Sequence, residues 1–202
     1  RDIDYIEVWS ETFPSVRPQN ARAFRFWTER LNEGFRIAAT SGRDWHRQEK
    51  TEVPVSVTYL GIDGASPGNM AEKAVRAIAA GRASVTMRPL LLCGVECYGR
   101  TYSIGDEVPA GPPAERVTVR ITVDESVRRG LWALSGDGLK VKITGNEGTL
   151  AEIALDDGRR SVAVEVSRGR LRWLRAELAG TIQGMRTMIA FYQSGVFRLT
   201  AH

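Results

Sequence analysis

The sequence predicts a chain in two parts: an α/β segment over residues 1–92, then an antiparallel β-sandwich over 93–202. Three observations carry this. In the first part, apolar β-type runs alternate with two stretches of helical periodicity, as in a parallel barrel or an open α/β sheet. In the second, short runs of period-two alternation recur about every ten residues between Gly/Asp turns. Between them the Pro/Gly-rich GDEVPAGPPAE (105–115) marks the change, and the boundary falls between residues 90 and 116.

The elements follow in order. DYIEVWS (4–10) is β-branched and aromatic and reads as a buried strand. Pro18 stands where a helix begins. Ala23, Phe24, Trp27 and Leu31 then line one helical face, with Arg22, Arg25, Glu29 and Arg30 mainly elsewhere. Gly34 supplies the stop. FRIAAT (35–40) is the next strand, so the first forty residues form a β-α-β unit with parallel strands. VPVSVTYLGI (53–62) leads to a second helix, where Asn69 and Glu72 have capping-box spacing. Ala71, Ala74, Val75 and Ile78 form its apolar face and Gly81 closes it. RASVTM (82–87) is again a strand.

In the second part VTVRITVD, LKVKITG, AEIAL, SVAVEVS, RLRWLRAEL, MRTMIAFY and VFRLTA are the sandwich strands, with Asp157-Gly158 as one turn. Trp132 and Trp173 are expected to anchor this core, and Trp9 and Trp27 the other. In LLCGVEC, an extended Cys93 and Cys97 lie ~13 Å apart, beyond disulfide reach. With no histidine nearby they make a poor zinc site, and both read as reduced and structural.

Composition excludes some classes. No run approaches the ~20 apolar residues of a membrane span, and Arg1-Asp2-Ile3-Asp4 does not open a signal peptide. The first residue is not Met, so a processed or excised piece is expected, and the start says little of the parent. The net charge of +4 comes with 28 Lys and Arg spread among 24 acids. A nucleic-acid surface would cluster them with interleaved aromatics. Neither nucleic acid nor membrane is expected as a partner.

The chemistry gathers in SGRDWH (41–46). His46 is the one histidine besides the terminal His202, and Asp44 lies two residues before it. On an extended segment i and i+2 point to one side, so both side chains can project at the C-terminal end of a parallel sheet. Carboxylate with neutral imidazole is a ligand pair for zinc, iron or manganese. Two residues do not settle it: Asp44 can equally turn the loop while His46 hydrogen-bonds at the surface. Gly42 suits a tight loop, and Trp45 could line a mouth.

The order of motifs adds to this. IEVWS, a helix bearing FRFWTERLNEG, the strand FRIAAT, SGRDWH, then AVRAIAAGRASVTMRPLL resemble the closing part of a PHP (polymerase and histidinol phosphatase) metallohydrolase. More narrowly they resemble its carbaryl hydrolase-like subfamily, and RWLRAELAG and MIAFYQSGVFRL are similar to the end of that subfamily's β-domain. The resemblance implies the C-terminal portion of a distorted β/α barrel followed by the β-sandwich. It implies divalent metal ions (Zn, Mn or Fe) held in part by Asp44 and His46, and hydrolysis of a small phosphoester or related ester by metal-bound hydroxide. Glu7 is carried as a possible contributor lining the same site.

The departures matter too. The family's opening His-x-His and middle ligands belong to strands N-terminal to anything present. The barrel is therefore expected to be completed by that missing N-terminal part or by a second copy of the chain. No catalysis is expected of this chain alone, and bound metal is expected of the complete protein. Arg43 stands where Ser is usual, Ser10 for Asn, and Met87-Arg88-Pro89 for Thr-Gly-Pro. Arg43 would pair with Asp44, bind a substrate anion, or simply point to solvent. The alternative function is a non-catalytic module, a degenerate PHP remnant joined to a ligand- or partner-binding sandwich.

Overall fold

A computed structural model of the chain describes residues 3–10, 15–44, 54–64, 67–109, 111–112, 115–127, 138–155, 158–169, 171–182 and 184–197. The first unit is β1 (Tyr5–Trp9), α1 (Pro18–Asn32) and β2 (Ala38–Ser41). As the sequence predicts, β1 and β2 pair in parallel, Tyr5 opposite Ala38 and Glu7 opposite Thr40. Pro18 occupies the first turn of α1. Gly34 ends it at φ 91°, a left-handed conformation that costs a residue without Cβ little.

Next come β3 (Val57–Leu60), α2 (Met70–Ala79) and β4 (Ala83–Thr86). The capping box is present: Glu72 N–H donates to Asn69 Oδ1 at 3.0 Å and Asn69 N–H to Glu72 Oε2 at 3.2 Å. The buried side of α2 is centred on Ala77, while Val75 of the expected apolar face is 67% exposed. The helix lies over a sheet edge and covers a narrower stripe than the periodicity suggests.

The remaining strands are β5 (Leu90–Cys97), β6 (Arg100–Tyr102), β7 (Glu107–Val108), β8 (Arg116–Asp124), β9 (Lys140–Gly145), β10 (Gly148–Ala154), β11 (Ser161–Ser167), β12 (Trp173–Ile182) and β13 (Met185–Phe197). Two sheets result. One runs β10-β9-β12-β13-β4-β3 with β7 beside β13, the other β11-β8-β5-β6. MRTMIAFY and the start of VFRLTA, expected as two strands, are the single β13.

The expected α/β barrel portion is therefore corrected. The described residues are 49% strand and 16% helix, with two helices among thirteen strands, where a β/α barrel follows each strand with a helix. The deciding pair is β3 with β4: they are antiparallel, Val57 opposite Thr86 and Leu60 opposite Ala83, although α2 lies between them. Alternation of β and α in sequence specifies element types, not strand direction. A strand inside a parallel barrel is buried on both faces and reads as a continuous apolar run. VTYL carries Thr58 and Tyr59 and is only half-buried along its length, as an edge strand. Its partner β4 then joins β13, Ala190 opposite Thr86, so the sheet is completed from the C-terminal end of the chain. The expected boundary at 92/93 falls within β5.

Two layers pack on the larger sheet. On one face β5 packs against β12 and β13, and its Leu91 and Val95, with Val119 and Ile121 of β8, share one buried core with Leu174, Ala176 and Leu178 of β12. Cys93 and Cys97 are on the buried side of β5, reduced. On the opposite face sits the β1-α1-β2 unit. Phe191 of β13 is 1% exposed. Its ring lies 5.0 Å from Trp9, 5.2 Å from Phe24 and 5.5 Å from Trp27. Trp9, Trp27 and Trp173 are all buried as expected, while Trp132 lies outside the described residues.

Burial on both faces leaves β12 with polar residues inside. Arg175 Nε donates to Glu177 Oε1 at 2.8 Å and Nη1 to Thr28 Oγ1 of α1 at 3.1 Å. The guanidinium lies 4.4 Å from the Phe24 ring, 5.2 Å from Trp27 and 5.1 Å from Trp173. Burial pulls the Arg175 guanidinium below its ordinary range, opposed by the Glu177 carboxylate. A paired charge among aromatic faces is how such a residue is held out of water.

Candidate functional site

The candidate site lies where β1 and β2 end, and their ends are pinned on three sides. Trp27 Nε1 donates to Ile37 O at 2.9 Å, holding the approach to β2 against α1. Ser10 N–H donates to Oδ1 of the buried Asn20 at 3.0 Å, holding the chain just past β1. Ser41 N–H donates to Thr58 Oγ1 at 3.0 Å, which ties the last residue of β2 to β3. Thr58 lies opposite Val85, so the C-terminal ends of β2 and β4 come together. Gly42 N–H then donates to Trp9 O at 2.8 Å, extending the β1–β2 ladder by one bond.

The ladder is irregular at this end. Glu7 pairs with Thr40 but Trp9 with Ser41, so β1 carries an extra residue. Strict alternation would leave one of Val8 and Trp9 on the outer side; here both are buried and Glu7 is exposed. The Glu7 carboxylate lies directly against Gly42: a Cβ built on Gly42 would stand 2.2 Å from Glu7 Oε2. Gly42 is needed for this close approach rather than only for a tight turn. Two residues on, Asp44 is exposed and takes φ 51°, a left-handed conformation that Asp tolerates better than most residues.

The structure thus sets Glu7 against Gly42, with Arg43 and Asp44 following in the chain. Arg43 is half-buried with Nη1 enclosed, so its side chain is not simply extended into solvent. Trp45 and His46 lie outside the described residues. Among the described residues no three His, Cys, Asp or Glu side chains cluster as a metal site would require. Asp44 offers one carboxylate as an oxygen donor suited to a divalent cation, and the other ligands of such a site have to come from elsewhere.

The contact between Glu7 and Gly42 was not visible in the sequence. The only signal was weak: a glutamate inside an otherwise apolar IEVW strand. Elsewhere among the described residues, an open cleft of about 560 Å³ is lined by Arg88, Leu92, Thr122, Asp124, Glu125 and Arg160. Arg88 Nη1 stands 3.5 Å from Glu125 Oε2, and Arg160 also pairs with Glu125, so these charges close on one another. A buried group gathers Cys97, Glu115 and Arg168. Arg168 Nη1 donates to Glu115 Oε2 at 3.3 Å, and burial, then the Glu115 charge, push the Cys97 thiol up. A thiol held protonated is a poor nucleophile or metal ligand.

No family model, curated protein or solved structure matches the chain significantly.

Proposed function

We propose that the chain is part of a metal-dependent hydrolase acting on small phosphoesters or related esters. The observation that carries this reading is the end of the β1–β2 pair: Glu7 packs on Gly42 at the C-terminal ends of two parallel strands, and Asp44 follows two residues on, at the head of the segment that contains His46. Open α/β sheets place their chemistry at that end. The order of motifs similar to PHP metallohydrolases supports the same reading.

Asp44 and His46 would hold a divalent metal, which when bound lowers the pKa of a water and polarises a phosphoryl or carbonyl oxygen. Asp44 would contribute a carboxylate oxygen and His46 an imidazole nitrogen. Arg43 adds a cation where the anionic part of an ester would sit. The remaining ligands would have to be supplied by other residues of the protein or by a second copy of the chain. The outer edge of β1 supports this: it ends a two-stranded parallel sheet, and Ile3 and Tyr5 beside it are 57% and 55% exposed. Parallel strands are ordinarily covered on both sides.

The test is a panel of phosphomonoesters and phosphodiesters, run on the full-length protein and on these 202 residues alone. Turnover abolished by a chelator and restored by Zn²⁺ or Mn²⁺ is expected for the first, with none for the second. Chelator-insensitive turnover, or none in the full-length protein, would contradict the reading and favour a binding module.

A further inference from the structure

We propose that the cleft between the start of β5 and the end of β8 binds a small organic carboxylate between Arg88 and Arg160, in the place that Glu125 now holds. The site does not depend on the hydrolase reading.

The cleft, about 560 Å³ and open to solvent, is walled by Arg88, Leu92, Thr122, Glu125 and Arg160. The backbone fixes its frame. Leu92 of β5 lies opposite Thr122 of β8, and Val123 N–H donates to Arg160 O at 2.8 Å. The hydroxyl of the fully buried Thr86 accepts from Arg88 N–H at 3.0 Å and donates to Pro89 O at 2.6 Å. The two arginines therefore enter from different connections, Arg88 between β4 and β5 and Arg160 just before β11.

Their charges are not fully met. Glu125 accepts from Arg160 Nε but stands 3.5 Å from Arg88 Nη1, long for a charge-assisted bond. The Arg88 side chain is only 13% exposed, and its Nε is enclosed with no hydrogen-bond partner among the described residues. An enclosed donor left without a partner costs free energy, the more so on a charged group. Asp124 is turned to another use: its Oδ1 takes the Ser126 N–H at 2.8 Å and shapes the turn that carries Glu125.

The position of Glu125 names the ligand class. A carboxylate already sits between the guanidiniums, on a side chain 28% exposed that can swing to water. A ligand carboxylate in its place faces both arginines without the tether that holds Glu125 nearer to one. Beside them Leu92 is 42% exposed and offers an apolar wall to the body of the acid. That wall suits a carboxylate on a short apolar chain better than an inorganic oxyanion.

The test is a titration of acetate, hexanoate and inorganic phosphate into the 202-residue chain at constant ionic strength. Shifts of the arginine Nε–H and backbone amide signals are followed by NMR. Hexanoate is expected to move Arg88, Arg160 and Leu92, and to bind severalfold tighter than acetate. E125Q, which removes the competing carboxylate, should bind it about 10-fold tighter, and R88M and R160M each about 10-fold more weakly. Arg160 is 33% exposed, so R160M carries the test if R88M fails to fold. Affinity unchanged in R160M, or no tighter in E125Q, would overturn the site. Phosphate binding more tightly than hexanoate would overturn the carboxylate assignment.

Discussion

Replacing Phe191 with alanine is expected to destabilise the protein by about 3–5 kcal/mol, the range for removing a buried aromatic side chain. The ring is 1% exposed and lies in ring contact with Trp9 of β1 and with Phe24 and Trp27 of α1. Each aromatic pair adds about 0.5–1.5 kcal/mol beyond its buried area. The loss should also be local in character. Trp9 and Trp27 hold β1 and β2 in place, and Phe191 is what they rest on. Amides of β1 and β2 should therefore lose protection in F191A well before those of β8 and β11, which pack on the opposite side of the sheet. Denaturant unfolding with hydrogen exchange reads both effects. A loss under about 1 kcal/mol, or one spread evenly over all strands, would mean that the β1-α1-β2 unit does not share its core with β13.

The Arg175–Glu177 pair gives the second large effect. Their side chains are 4% and 8% exposed, and Arg175 donates both to Glu177 and to Thr28 of α1. Removing one member of such a pair leaves the other buried without full compensation, at a cost of about 3–5 kcal/mol. R175M should show that loss. Lys142 stands 3.8 Å from Glu177 and offsets part of it. R175K should not restore stability, because an ammonium cannot lie flat between Phe24, Trp27 and Trp173 as a guanidinium does. R175M/E177L, which replaces both charges with apolar groups of similar size, should recover most of the wild-type stability. Chemical denaturation of the three variants decides it. If R175M costs no more than a surface substitution, or the double variant is worse than the single, the pair is not buried beneath α1.

That pair also shows where sequence reading stops. In RWLRAEL the alternation of apolar and polar residues suits a strand with one wet face, yet both faces of β12 are covered. Nothing local distinguishes a polar face in water from one under a helix. The same limit explains the fold correction. Pro18, Gly34 and the Asn69/Glu72 box mark helix ends by local chemistry, and the structure has them where expected. The parallel pairing of β1 with β2 follows the expected β-α-β unit. The same element order in β3-α2-β4 gives an antiparallel pair, and β4 there joins β13, about a hundred residues away.

The site was legible to a similar depth. Asp44 and His46 stand out by residue type and spacing alone, and Glu7 by being acidic in an apolar strand. What period-two reading misses is the one-residue register shift that places Val8 and Trp9 together in the core.

The measurement that bears most directly on the account is metal content, with phosphoesterase turnover, of the full-length protein and its His46→Ala variant. The account predicts bound divalent metal in the wild type and loss of both metal and turnover in the variant. Metal stoichiometry and turnover unchanged by the substitution would contradict it.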